Sequence, residues 1–117
     1  MEATINEKAL QAASMFLERR GYEVIEEKWA YGNDSIDIIA REDEDLVFVD
    51  VRVKADGTRQ MPEEKPDRDR FERIAAAYLT EADEGADFAI RYDIVSILVL
   101  NDNKALLRHH RNALSVL

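Results

Sequence analysis

The residues best suited to chemistry are Asp37, Asp50, Arg52 and Lys54, in the middle of the sequence. Two apolar runs, SIDIIA from Ser35 and LVFVDVRVK from Leu46, flank an acidic turn, and each run carries one aspartate in buried-strand company. A hairpin folded about Asp43-Glu44 sets Glu42 against Asp45, Arg41 against Leu46 and Ile39 against Phe48. Asp37 then falls opposite Asp50, and Ser35 opposite Arg52. Directly opposed side chains share a face with Cβ atoms about 4.5–5.5 Å apart, and like charges so placed repel. Alternation puts Asp50, Arg52 and Lys54 on one side of the strand and Val47, Val49, Val51 and Val53 on the other. Two carboxylates held together beside two cations suit a divalent metal ion. The competing reading is a solvated polar face on which Arg52 and Lys54 are the salt-bridge partners of the two aspartates.

The elements that must hold this hairpin are legible around it. Thr4-Ile5-Asn6-Glu7 has the capping-box pattern, which makes Glu7 a cap residue first. Ala9, Leu10, Ala13, Phe16 and Leu17 then recur at helical spacing up to a stop at Gly21. Tyr22 to Trp29 reads as a first strand and Ala30 to Asp34 as a turn. After the hairpin, Ala55 to Pro66 is a polar loop. Asp67 is placed to cap a second helix carrying Phe71, Ile74, Ala75, Tyr78 and Leu79 on one stripe. A turn around Gly85, an apolar strand from Phe88 to Leu100 suited to the centre of a sheet, and a last strand from Lys104 to His110 complete the order α-β-β-β-α-β-β. The fold class is α/β, a single domain with a mixed central sheet flanked by helices. The helices lie one on each side or both on one. The passage from the hairpin's second strand through the second helix to Phe88–Leu100 predicts a parallel crossover.

Composition narrows the rest. At 117 residues, 46% hydrophobic and 35% charged, the chain suits one globular core. It has no cysteine, which excludes disulfides, thiolate metal sites and cysteine catalysis. No apolar run approaches the roughly 18 residues a membrane span needs, and MEATINEK lacks signal-peptide features, so a cytoplasmic protein is expected. The net charge of −9 is unevenly spread: Arg52 to Arg73 holds seven Lys/Arg and six Asp/Glu. That stretch is balanced where the remainder would repel a polyanion.

GYEVIEEKW from Gly21, SIDIIA, LVFVDVRVK and IRYDIV resemble the YraN-type family of uncharacterised bacterial proteins, which is similar to the restriction-endonuclease-like, PD-(D/E)XK superfamily. That superfamily also contains archaeal Holliday-junction resolvases. The resemblance runs from about Leu10 to Val99. Asp37 matches the family's metal-binding aspartate, and Asp50 takes the place of the second acid, normally glutamate. Arg52 stands where lysine is usual. Ser35 replaces the glutamate just before the Ile-Asp pair, Leu10 a glutamate on the first helix, and Asp67 a lysine at the start of the second.

The resemblance implies a single restriction-endonuclease-like domain over residues 1–117 and an endonuclease dependent on Mg²⁺ or Mn²⁺. Its substrate would be DNA, branched DNA included, cut by phosphodiester hydrolysis at Asp37 and Asp50. The metal would be held by both carboxylates, the Val51 carbonyl and water, as Mg²⁺ prefers, and would activate its bound water. Arg52 stays protonated, so it clamps and stabilises charge rather than accepting a proton, with Lys54 further along the same face. Resolvases of the superfamily are commonly dimers, which extends the implication to a homodimer. The four departures from the pattern imply the alternative: a catalytically degenerate nuclease fold serving as a nucleic-acid- or protein-binding module.

The remaining candidates read as structural. Asp93 fits the family's Arg-Phe-Asp strand and is expected to act within it. His109 and His110 point to opposite faces of a strand and are expected to be exposed tail residues. Trp29 and Tyr31 could stack on bases, with packing in the core or its rim as the plainer role.

Overall fold

The computed structural model describes residues 4–82 and 89–114. Helix α1 (Ile5–Arg19) starts where Thr4 Oγ1 accepts the Glu7 N–H at 3.1 Å. It ends where Gly21 takes a φ of +92°, a left-handed conformation that glycine adopts without a Cβ clash. Strands β1 (Glu23–Tyr31), β2 (Asp34–Glu42) and β3 (Asp45–Lys54) follow as an antiparallel meander. The β1–β2 turn is confined to Gly32-Asn33, so Ala30, Tyr31 and Asp34, expected in the turn, belong to strands.

Helix α2 (Arg68–Ala82) is capped by Asp67, whose Oδ1 accepts the Arg70 N–H at 3.1 Å. It leads to β4 (Ala89–Asn101), which pairs in parallel with β3, and β5 (Lys104–His110) returns antiparallel to β4. The turn around Gly85 and the start of the fourth strand at Phe88 lie outside the described residues.

The sheet order is β1-β2-β3-β4-β5, with one helix on each face. Alternation in the strands supplies both cores. Ile38, Ala40, Val47, Val49, Val95 and Ile97 meet Ala9, Ala13 and Leu17 of α1. Ile36, Ile39, Leu46, Phe48, Tyr92 and Ile94 meet Ile74, Ala75 and Tyr78 of α2. β3 and β4 are covered on both faces, which is why they read as nearly continuous apolar runs. No helix among the described residues is long and apolar enough to cross a membrane.

Candidate functional site

The hairpin register is the one its sequence predicts as far as it goes: Glu42 pairs with Asp45, Arg41 with Leu46 and Ile39 with Phe48. The β2–β3 pairing then stops at Ile38 and Val49, one residue short of Asp37 and Asp50. Beyond that point β2 stays with β1, through Trp29–Ile36 to Tyr31–Asp34, and leaves β3. Ile36 joins Ile39 in the α2 core, so strict alternation slips across Asp37. Asp37 stands at the opening and its Oδ2 accepts the Val51 N–H at 2.7 Å, a side-chain acceptor in place of the missing strand carbonyl.

Asp50 keeps its expected face with Arg52 but is closed. The residue is 1% exposed. Its Oδ2 accepts the Tyr92 hydroxyl at 2.6 Å and Arg70 Nη1 at 2.8 Å, while Oδ1 accepts Arg70 Nη2 at 3.1 Å. Arg70 Nη2 also donates to the Ser35 carbonyl, so one guanidinium from α2 ties both sides of the β2–β3 opening. Hydrogen bonds from Arg70 to Asp50 hold the guanidinium above its ordinary pKa, and burial, then the Asp50 charge, does the same for the Tyr92 phenol. Charge-assisted, two-pronged pairs of this kind are the strong ones. Arg52 reaches Asp50 only at 3.6 Å and its side chain is 30% exposed. Lys54 ends the strand and makes no salt bridge among the described residues.

Asp37 has the opposite environment. Burial raises its carboxyl pKa and the nearby Asp50 charge adds to the rise, against the Val51 N–H, Arg52 and Arg70, which lower it. It borders a cavity of about 320 Å³ on the α1 side of the sheet, with Glu7, Leu10, Lys28, Val51 and Val53 among its walls. Lys28, at a φ of +55°, sits between the pairs Glu27–Ile38 and Trp29–Ile36, the register position opposite Asp37. Leu10 presents an apolar wall where a glutamate would add a third acid.

These residues do not suit a divalent cation as they stand. Mg²⁺ needs free carboxylate oxygens and room for several waters. Both Asp50 oxygens are already engaged, and among the described residues no group of three or more His, Cys, Asp or Glu is placed to hold a metal.

Other sequence candidates fall elsewhere. Asp93 is fully buried on the α1 face, where it accepts from Arg91, Tyr22 and the Asn112 N–H and pairs with His109 Nε2 at 2.8 Å. The His109 side chain is only 4% exposed, contrary to the exposed tail its position suggested, because Phe16 of α1 and Tyr22 pack their rings against it. His110 does face the other way and is half exposed. Trp29 packs edge-on against Tyr78 and stacks with Tyr31, so the pair belongs to the core rim. Arg70 was not among the candidates. The available signal was its place one residue before Phe71 on the α2 stripe, where a long side chain flanking the buried face can reach the sheet.

The model of uncharacterised protein family UPF0102 matches residues 10–97, which spans most of α1, the opening at Asp37, the closed Asp50 and most of β4. The chain belongs to this family. It is the YraN-type family that the motifs resemble. A UPF0102 protein of Roseiflexus castenholzii is 41% identical over 90 residues, covering 74% of this chain and 73% of the relative. One of Beutenbergia cavernae is 34% identical over 104 residues, covering 86% and 87%. One of Natranaerobius thermophilus is 29% identical over 109 residues, covering 90% and 92%.

Proposed function

We propose that this UPF0102 protein is a nuclease-like fold that binds the phosphate backbone of DNA without hydrolysing it. The observation that carries this reading is the closure of Asp50 by Arg70 and Tyr92. A guanidinium stands where catalysis would need a hydrated metal ion. With Arg70 offsetting Asp50, Arg52 and Lys54 carry further positive charge along β3. They form a local cationic strip on a chain whose overall charge is −9. Such a strip confines polyanion contact to one place and supports modest, salt-sensitive affinity.

Fluorescence anisotropy with single-stranded, duplex and branched DNA in EDTA tests this. Binding should persist in EDTA, weaken in Arg52→Ala, and fall with salt at a log–log slope of about −1 to −2. Binding that requires Mg²⁺ and disappears in Asp50→Ala would overturn it.

A second reading, Mg²⁺- or Mn²⁺-dependent cleavage, is favoured by one feature. Asp37 is a half-buried carboxyl with raised proton affinity beside a cavity, a group that a cation would stabilise in its charged form. It would require Arg70 to leave Asp50.

A further inference from the structure

The loop between β3 and α2 contributes a second charged cluster, on the same face as Asp50 and Arg52. Register places Arg52, Ser96 and Arg108 side by side in a row across β3, β4 and β5, with Asp50, Ile94 and His110 as the row beside it. Adjacent strands lie about 4.8 Å apart, so the Ser96 hydroxyl is the immediate neighbour of Arg52. Glu64 reaches from the loop onto this row, and its side chain is 12% exposed. Its Oε1 accepts three donors: Ser96 Oγ at 2.6 Å, Arg108 Nη2 at 2.6 Å and Arg108 Nε at 2.9 Å. His110 Nδ1 stands 3.4 Å from Oε2. Burial alone would raise the Glu64 carboxyl pKa, but the hydrogen bonds from Ser96, Arg108 and His110 outweigh it and hold the carboxyl below its ordinary value.

A hydroxyl and a two-pronged guanidinium converging on one oxygen, with an imidazole beside the other, are donors of the kind that recognise a phosphoryl group. Unlike the buried cluster around Asp93, this one reaches the surface: the Arg108 and His110 side chains are about half exposed. We propose that Ser96, Arg108 and His110 form an anion subsite for a backbone phosphate, that Glu64 occupies it from within the chain, and that DNA bound along Arg52 displaces Glu64. The inference rests on the nucleic-acid reading of this face and extends it: Arg52 takes one phosphate and the Ser96–Arg108–His110 subsite the next. The loop carrying Glu64 is thereby a self-inhibiting strap, tethered by its own carboxylate.

Removing the internal anion should open the subsite. Isothermal titration with inorganic phosphate should show Glu64→Ala binding roughly tenfold tighter than wild type, and the gain should vanish in Glu64→Ala/Arg108→Ala. Glu64→Gln keeps the size of the side chain and removes its charge, so it should gain in the same direction; thermal melts confirm that each variant is folded. Anisotropy with the same proteins and single-stranded DNA separates the two claims. If folded Glu64→Ala and Glu64→Gln gain no phosphate affinity while wild type binds DNA through Arg52, the subsite is refuted and the DNA-binding reading stands. If Arg108-dependent phosphate binding appears but no variant binds DNA, the subsite stands as an anion site and its extension to a DNA backbone fails.

Discussion

Arg70 Nη1 lies 2.8 Å from Asp50 Oδ2, and this ion pair makes the motif's second acid part of a buried, hydrogen-bonded cluster instead of an open ligand. Breaking a buried pair from one side leaves a desolvated charge and costs about 3–5 kcal/mol. Arg70→Ala should therefore lower unfolding free energy by about 3 kcal/mol, the low end, because Tyr92 and Arg52 still contact Asp50. Removing both charges, as in Arg70→Met/Asp50→Leu, should recover most of that loss. Urea denaturation of Arg70→Met, Asp50→Leu and the double variant measures the coupling. Additive losses would show that the two residues do not act as a pair.

Asp37 should respond in the other direction. Its folded pKa lies above the ordinary value of 3.8, chiefly through burial. The group therefore favours the folded state fully below that ordinary value, and the contribution is lost as pH rises through the raised folded value. Asp37→Asn keeps an oxygen to accept the Val51 N–H and removes the charge. The variant should melt above wild type at pH 7, with the gap closing toward pH 3.5. A lower melting temperature at pH 7 would mean that the charged form of Asp37 stabilises the fold.

Asp93 supplies the opposite pH signature. Burial alone would raise its pKa, but hydrogen bonds from His109, Arg91 and the Asn112 N–H outweigh it and hold the carboxyl at about 2. Stability from this group is present above the ordinary value of 3.8 and is lost as pH falls toward 2. Its linkage contribution is on the order of 2 kcal/mol. Asp93→Asn should be destabilised at pH 7 by at least that much and should show a flatter acid limb in melts between pH 5 and pH 2. An unchanged acid limb would remove Asp93 from the account of acid denaturation.

What the sequence conveys about this fold follows the range of its interactions. The hairpin register and the parallel return of β4 are legible because period-two alternation and turn residues are local signals. The end of the pairing at Ile38–Val49 is not, because it depends on β2 following β1 past Lys28 instead of β3. Arg70 reaches Asp50 across 20 positions of chain, and Glu64 reaches Arg108 across 44, distances over which no pattern of residue types specifies a partner. His109, expected as an exposed tail residue, lies on the edge strand β5, where α1 covers one face with Phe16. In each case the residue type was visible and its three-dimensional neighbour was not.

Calorimetric titration of Mn²⁺ into the wild-type protein at pH 7 addresses the central claim, that a protein guanidinium holds the place of a metal at Asp50. No micromolar binding is expected, and Arg70→Ala is expected to bind more tightly than wild type once Asp50 is released. Micromolar binding to wild type that disappears in Asp50→Ala would contradict the account and restore the hydrolytic reading.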